Sequence, residues 1–244
     1  MESSLFAVDA RGDELDECFR VSFERAKVGR SFRSAIVVGL FAALRKSALD
    51  RAQCVASDCG AVVVRMDASC GRSFLGCEAG ADSPLDAYEA RPLLSLPALL
   101  APALERALLA IGEIDGAQAS ASLGLSALAG FTYGLKPAFD DIEAYAKAIR
   151  VPGLADNGDL DSDLGCLLEQ VGLASRAANS ALVMVIDNLD WVDFGQMGSL
   201  ISALHRIGQL RLPVVLVGSG RPSLLARMSA SRSYAERMFD FSRI

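Results

Sequence analysis

The sequence contains a single histidine, His205, and none of its six cysteines lies in a Cys-x-x-Cys pair. A metal centre built on several histidines is therefore excluded, and so is the close cysteine spacing of a zinc knuckle or a redox dithiol. We interpret the cysteines as reduced structural residues in preference to metal ligands. They are Cys18, Cys54, Cys59, Cys70, Cys77 and Cys166.

The chain also lacks a long uninterrupted apolar run. Its most apolar stretch, 93–111, is broken by prolines and charged residues, whereas a membrane span needs roughly 20 mostly apolar residues. The segment 1–4 lacks the basic residues and the following apolar run of a secretory signal. We therefore expect a cytoplasmic protein with no membrane partner.

The composition is that of a folded protein. Hydrophobic residues make up 52% of the 244 residues and aromatic residues 7%, which favours an α/β protein over a disordered chain. The length suits one domain, or one and a half, with an ample core. A net charge of −6 argues against a broad nucleic-acid-binding surface, so DNA is not expected as a partner of this region.

Short apolar runs alternate with helical patterns along the chain. The runs show no polar alternation, which is typical of parallel strands buried on both faces, and they lie at 35–39, 61–66, 181–186 and 212–217. Apolar periodicity predicts helices at 13–27, 42–56, 96–111, 160–178 and 194–210. This alternation predicts an α/β fold with a mainly parallel, doubly wound sheet between two layers of helices.

Two segments carry little pattern. Residues 69–93 are weakly patterned and predict a loop or insertion, and the small-residue-rich stretch 117–135 allows no assignment. Residues 1–34 predict an N-terminal helix and linker, and Asp159 is the predicted N-cap of the helix that follows it. The whole chain, 1–244, is expected to form one core.

Ligands of parallel α/β sheets bind at the carboxyl ends of the strands. After the first apolar run comes Gly39, followed later by Lys46 and Ser47. A phosphate-binding loop has glycine, four residues and then Gly-Lys-Ser/Thr, so that backbone N–H groups surround the phosphates while the lysine and hydroxyl serve phosphate and magnesium. Here the interval is one residue too long, the second glycine is missing and residues 42–45 favour a helix. An ordinary strand-to-helix turn is an equal alternative.

After the third apolar run come Asp187 and Asn188. An apolar run that ends in aspartate is the Walker B pattern, whose carboxylate holds the shell of a magnesium ion. Many ATPases follow this aspartate with a glutamate that activates the attacking water. Asn188 can orient a water but cannot accept its proton at neutral pH. A turn or helix-capping carboxylate is the alternative role for Asp187.

After the fourth apolar run comes the segment Gly218-Ser219-Gly220. A polar residue at this strand tip matches the sensor position of such ATPases, which contacts the γ-phosphate and the attacking water. Ser219 is the candidate for that role. A glycine-rich turn without a ligand is the alternative.

These pieces, in this order, resemble the nucleotide-binding core of bacterial AAA-type P-loop ATPases related to the origin-recognition branch. The resemblance covers nearly the whole chain. Its most specific element is 233–239, Ser-Tyr-Ala-Glu-Arg-Met-Phe, which is similar to the Ser-Tyr-Ala-Glu-Arg-Leu-Phe that ends the family's core. The other matches are an opening box at 11–15, the strand and phosphate loop at 35–49, the segment 152–160 and the sensor strand with its flanks at 204–222.

The resemblance implies a P-loop NTPase-like three-layer sandwich that binds ATP and Mg²⁺. Asn188 and Ser219 would stand at the catalytic positions. Arg237 would complete the site of a neighbouring subunit in a homo-oligomer, although a salt bridge with Glu236 or Asp240 is the alternative for this arginine. The nucleotide ligands would be Gly39, Lys46, Ser47 and Asp187, with Ser47 and Asp187 at the magnesium ion.

Two functions follow from this resemblance. One is an ATP-binding AAA-family core, a hydrolase with impaired ATP hydrolysis, and the other is a non-catalytic pseudo-ATPase scaffold that binds a protein partner. The missing glycine weakens binding and Asn188 weakens turnover, so we expect weak or absent turnover from this sequence. Family members continue into a helical lid and commonly a winged-helix DNA-binding domain, whose functions would be missing from a chain that stops at Ile244.

The form of the altered loop suggests its origin. The family loop reads Gly-Leu-Arg-Gly-Val-Gly-Lys-Ser or Thr. A local double frameshift in its coding sequence converts Leu-Arg-Gly-Val-Gly-Lys-Ser into the Leu-Phe-Ala-Ala-Leu-Arg-Lys-Ser of residues 40–47. We hypothesise that such a frameshift, in the genome or in the sequencing, replaced an intact loop. Resequencing the locus tests this, and codons that cannot be realigned in this way would contradict it.

Overall fold

The computed structural model describes residues 3–69, 94–143 and 149–244. Within these ranges, no helix is long and apolar enough to cross a membrane. Beyond residue 69, the predicted loop or insertion lies outside the described residues. The described elements are α1 (Ser3–Lys27), β1 (Ser34–Val38), α2 (Ala42–Asp58), β2 (Val62–Asp67), α3 (Leu96–Gly112), α4 (Gln118–Leu135), α5 (Leu160–Ala177), β3 (Leu182–Asp187), a 3₁₀ turn (Leu189–Trp191), α6 (Phe194–Leu210), β4 (Val214–Gly220), α7 (Ser223–Ser231), α8 (Ala235–Met238) and β5 (Phe239–Arg243).

The five strands form one parallel sheet in the order β2-β3-β4-β1-β5. Asp67, which ends β2, is level with Asp187, which ends β3. Val38, which ends β1, is level with Gly220 of β4. Helices cover both faces of the sheet, so the predicted three-layer α/β architecture with a doubly wound sheet is confirmed.

The order of the strands decides which helices cover which face. The chain crosses from β1 over two strands to β2 and then returns through β3 and β4 to β5. Because parallel crossovers are right-handed, this reversal places α2 on one face and the later helices on the other. Accordingly, α1 and α2 pack on residues such as Val37 and Val185, whereas α3 to α6 pack on residues such as Ile36 and Ile186. The reversal lies between β1 and β4, where ligands of doubly wound sheets bind.

The four apolar runs are strands and the five periodic segments are helices, as predicted. Helix α1 begins ten residues earlier than expected, at Ser3 rather than at position 13. Strand β4 extends to Gly220, so Ser219 lies inside the strand rather than after it. Asp159 is the N-cap of α5, as predicted, because its carboxylate accepts a hydrogen bond from the backbone N–H of Ser162 at 2.9 Å.

The small-residue-rich stretch without an assignment is helix α4. Its glycines lie where neighbouring segments approach closely: a Cβ at Gly124 would meet the side chain of Leu108 in α3, and one at Gly130 would meet the backbone oxygen of Leu154. Small residues therefore let α4 pack closely between α3 and the segment that precedes α5. Strand β5, which was not predicted, pairs with β1 along its whole length.

Candidate functional site

Polar side chains meet at the carboxyl ends of β2, β3 and β4. Ser219 is completely buried, and its hydroxyl donates a hydrogen bond to Oδ1 of Asp187. The backbone N–H of Asn188 donates to the same oxygen at 2.8 Å. The structure therefore brings together three of the predicted site residues, Asp187, Asn188 and Ser219. A carboxylate that stabilises a turn accepts a hydrogen bond from a nearby backbone N–H, so the bond from Asn188 also agrees with the alternative role of Asp187 as a turn carboxylate.

The side chain of Asn188 is fixed in both directions. Its Nδ2 donates to Oδ1 of Asp67 at 3.0 Å and to Oγ of Ser69 at 3.4 Å. Its Oδ1 accepts a hydrogen bond from Arg45 Nη2 at 3.0 Å. The backbone of Asn188 is left-handed, with φ 55° and ψ 42°, a conformation that asparagine adopts more readily than most residues. The amide thus bridges a cation and a carboxylate, which a glutamate, an acceptor when ionised, cannot do.

The connection between β1 and α2 differs from a phosphate-binding loop. Helix α2 begins at Ala42, as the helical preference of 42–45 indicates, and its N-cap residue Phe41 makes no side-chain hydrogen bond to the helix. Lys46 and Ser47 consequently lie in the second turn of α2, where backbone N–H groups bond within the helix. This geometry is that of an ordinary strand-to-helix turn, the alternative interpretation of the loop.

Arg45 occupies the space between this turn and the tip of β3. The residue is 5% exposed, and its Nη1 donates to the backbone oxygens of Gly39 at 2.8 Å and of Leu40 at 3.5 Å. Its Nε is buried and makes no hydrogen bond within the described parts of the chain. A phosphate cradle needs inward-facing N–H groups, whereas here two carbonyl oxygens face inward, toward a cation.

A cavity of about 300 Å³ opens beside this network at the carboxyl ends of β2 and β3. Ser47 is exposed and does not line this cavity, although Lys46 does. In the described ranges, no group of three or more His, Cys, Asp or Glu side chains is arranged to hold a metal ion. Two acidic and two basic residues line the cavity, and one of the basic residues, Arg65, also pairs with Asp50. The lining residues are Lys46, Arg65, Met66, Asp67 and Asp187.

Gly39 serves packing at the end of β1. Its N–H donates to the backbone oxygen of Gly220 at 3.2 Å. A Cβ at this position would lie 2.7 Å from the backbone oxygen of Ile244, which is closer than real Cβ contacts. The close approach of the segment after β5 therefore explains this glycine without a phosphate ligand.

Arg237 lies far from the other predicted residues. It is exposed in α8, directly before β5, whose first residue Phe239 is level with Ser34 at the start of β1. The partners considered for a salt bridge bond elsewhere, since Asp240 pairs with Arg33 at 3.1 Å and Glu236 accepts from Ser229 at 3.0 Å. Arg237 thus lies at the amino end of the sheet, a strand's length from its own Asp187.

Asp190 is a site residue that the sequence analysis did not single out. Its carboxylate, with 2% of the side chain exposed, accepts hydrogen bonds from Nε of Arg221 at 2.7 Å and from the backbone N–H of Arg221 at 3.2 Å. Its backbone oxygen accepts from Arg227. Asp190 therefore fixes the segment that follows Ser219. The available signal was a second carboxylate, three residues after Asp187, at the end of a buried strand.

No protein-family model matches this chain, and a comparison with curated proteins finds no match.

Proposed function

We propose that this chain is a AAA-type ATPase-like core without a working phosphate-binding loop, which acts as a non-catalytic scaffold for a protein partner. One observation carries the proposal: α2 begins at Ala42, so Lys46 and Ser47 are built into the helix while loop oxygens face Arg45. The sheet order supports the ATPase-like part, because β4 and its Ser219 lie between β1 and β3, where a sensor residue has to be.

The residues of the loop do not fit ATP and Mg²⁺. The phosphates would meet the oxygens of Gly39 and Leu40 where they need N–H donors. Ser47 is exposed and does not line the cavity that Asp187 lines. Asn188 does not supply a base. No hydrolytic step is therefore assigned to this chain.

Exposed apolar side chains at the same end of the sheet support the scaffold role. Leu40, Phe41 and Leu44 are 76%, 69% and 45% exposed, and they lie together around the start of α2. Contiguous apolar side chains at a surface are typical of protein contact sites. A protein partner that covers them would shield them from water.

An ATP-binding core with impaired hydrolysis is the second candidate function. It is favoured by the cavity beside Asp187, because Lys46 and Arg65 line this cavity, although Arg65 also pairs with Asp50. The two carboxylates that share this cavity oppose an anionic ligand unless a cation accompanies it.

Calorimetric titration with Mg-ATP distinguishes the two candidates. The chain is compared with a variant in which residues 40–47 are replaced by Leu-Arg-Gly-Val-Gly-Lys-Ser, and with the same variant carrying Asp187→Ala. We expect no heat of binding for the natural sequence, and micromolar binding for the restored loop, because its glycines allow N–H groups to face the phosphates. Asp187→Ala is expected to abolish the magnesium dependence of that binding.

Each other outcome has a definite meaning. Micromolar binding by the natural sequence would support the second candidate, an ATP-binding core with impaired hydrolysis. Failure of both forms to bind would show that the strand tips do not form a nucleotide site, and the AAA assignment would then be lost with it.

A homo-oligomer forms part of the same proposal. Arg237 is exposed at the end of the sheet opposite Asp187, so it has no role at the site of its own chain. Its position suits a head-to-tail contact in which it approaches the site of a second copy. Such heterologous contacts close into rings when the rotation between subunits permits.

A further inference from the structure

The three oxygens around Arg45 form a small and specific arrangement. They are the backbone oxygens of Gly39 and Leu40 and the side-chain Oδ1 of Asn188, at 2.8, 3.5 and 3.0 Å from the guanidinium nitrogens. We call this set the guanidinium cage. Two of its members belong to the turn after β1 and the third to the turn after β3, so the cage spans the tip of β4 between them.

Burial makes this arrangement unusual. Arginine is rarely buried without an anionic partner, yet Arg45 is 5% exposed and forms no ion pair with any described residue. Among the described residues, the atoms that accept hydrogen bonds from its guanidinium group are neutral oxygens. One link to a carboxylate runs through the amide of Asn188, whose Oδ1 accepts from Arg45 and whose Nδ2 donates to Asp67.

We propose that the guanidinium cage is a cation-binding site for a planar guanidinium group, which the chain fills with its own Arg45. The filled cage links the turn after β1 to the turn after β3. A ligand bound between the carboxyl ends of these strands would otherwise have to link the two turns. Filling it from within makes the folded core independent of any bound nucleotide.

The cage also connects two features that are separate in the sequence. The helical turn around Arg45 and the asparagine at position 188 both depart from the ATPase pattern, and here they are in direct contact. Asn188 suits the cage because its oxygen receives the cation while its nitrogen satisfies Asp67. A carboxylate at 188 could still accept from Arg45, but it could not donate to Asp67 and would place a second negative charge beside that carboxylate.

Chemical rescue tests the cage. Arg45→Ala removes the cation and leaves the oxygens without a donor, so the Tm is expected to fall by about 6–12 °C. Millimolar guanidinium chloride, far below denaturing concentrations, should then recover at least half of the lost Tm. The matched control is Arg51→Ala on the same helix, since Arg51 pairs at the surface with Asp13 and Asp16 and its removal opens no cage.

Equal concentrations of sodium chloride and urea serve as ionic and denaturant controls. Recovery by guanidinium in Arg45→Ala, and in neither the natural chain nor Arg51→Ala, supports the cage. Recovery that sodium chloride reproduces, or none at all, overturns it.

A second variant covers the case in which Arg45→Ala does not fold. Asn188→Ala removes the one side-chain oxygen of the cage while Arg45 keeps its two backbone contacts. Backbone amides of 39–45 are then expected to exchange with solvent at least tenfold faster, with amides of β3 unchanged. Unchanged exchange in 39–45 overturns the proposal.

The link between the cage and a nucleotide-binding crevice rests on the proposed function, but the cage itself does not. Neither measurement of the cage involves nucleotide, so the cage and the proposed function can each fail while the other holds.

Discussion

The carboxyl ends of β3 and β1 lie on either side of β4 in one sheet, yet they are built in opposite ways. At the end of β3, Asp187 receives hydrogen bonds from a fully buried hydroxyl and a backbone N–H, and the next turn buries Asp190 against Arg221. At the end of β1, Leu40 and Phe41 are 76% and 69% exposed. The first tip is a satisfied polar network and the second is an uncapped turn.

This difference separates what the fold needs from what a phosphate ligand needs. Buried polar groups must find partners within the protein, so the network at β3 is maintained by folding alone. The side chains of Leu40 and Phe41 gain little from the fold, because they face water and Phe41 makes no capping hydrogen bond to α2. A change of sequence there can abolish phosphate binding and leave the sheet intact. Substitutions should therefore be costly at the buried residues of the β3 and β4 tips, and cheap or favourable at the exposed residues Leu40 and Phe41 after β1.

The largest effect is expected at Gly218 of β4. A Cβ at this position would collide with Leu189 and would lie 2.9 Å from Cδ1 of Ile36, both of which belong to the core. Gly218→Val is expected to lower the free energy of unfolding by about 3 kcal/mol through overpacking. Urea denaturation followed by circular dichroism measures this as a lower midpoint at constant m-value.

Gly208→Ala is the matched control for this prediction. Gly208 lies in α6, and an added Cβ would meet no atom within 4 Å. The alanine should raise the free energy of unfolding by about 0.5–1 kcal/mol, since it favours the helix and restricts the unfolded chain. A Gly218→Val protein as stable as the natural one would mean that β4 is not packed tightly against the turn after β3.

Periodicity and apolar runs were sufficient to predict most of the fold. The four runs are strands because they are buried between two helical layers, which is what their lack of polar alternation indicates. Helix α4 was missed because its many glycines and alanines do not show the spacing of large apolar residues that predicts a helix. The glycines are needed because α4 packs closely against α3 and the backbone of 154–156. Strand β5 was missed because it lies at the sheet edge and is short of buried residues: only Phe239 of Phe-Asp-Phe-Ser-Arg is fully buried.

Part of the candidate site could be predicted from the sequence, and the reason is physical. Residues that follow parallel strands meet at one edge of a sheet, which is why Asp187, Asn188 and Ser219 are in contact. The role of Arg45 was not accessible, because it depends on where α2 begins and on which way the oxygens of the turn point. Asp67 was missed because nothing in the sequence pairs β2 with β3 in register.

A smaller effect is expected when the network itself is cut. Ser219→Ala removes the hydroxyl that donates to Asp187 and leaves the rest of the strand unchanged. Because the acceptor is a carboxylate and the donor is buried, the free energy of unfolding should fall by about 1.5–2 kcal/mol. Thermal unfolding with calorimetric detection gives this value at the Tm.

Ser229→Ala removes the same kind of bond where water can replace it. The hydroxyl of Ser229 donates to the exposed carboxylate of Glu236 at 3.0 Å, so its loss should change stability by less than about 0.5 kcal/mol. If Ser219→Ala and Ser229→Ala lowered the free energy of unfolding equally, burial would not strengthen the hydrogen bond of Ser219. The contrast between the β3 tip and the β1 tip would then be wrong.

The smallest effect, and one of opposite sign, is expected at the tip of β1. Phe41 is the N-cap residue of α2, with φ −90° and ψ 116°, and its side chain makes no capping hydrogen bond. Serine favours this extended conformation, and its oxygen can accept from the N–H of Leu44, the third residue of the helix. Phe41→Ser should therefore raise the free energy of unfolding by about 1 kcal/mol, read from the urea midpoint.

Leu40→Ser distinguishes capping from the mere removal of an exposed apolar side chain. Leu40 is as exposed as Phe41 but lies one residue before the cap, where a hydroxyl does not reach the free N–H groups of the first turn. Its replacement should leave the free energy of unfolding within about 0.5 kcal/mol of the natural value. If both serine variants gain equally, the gain comes from losing apolar surface, and the turn after β1 would not be limited by its missing cap. If only Phe41→Ser raises the free energy of unfolding, then phenylalanine at this N-cap makes α2 less stable than serine would. Such a residue is expected at a surface that contacts another protein.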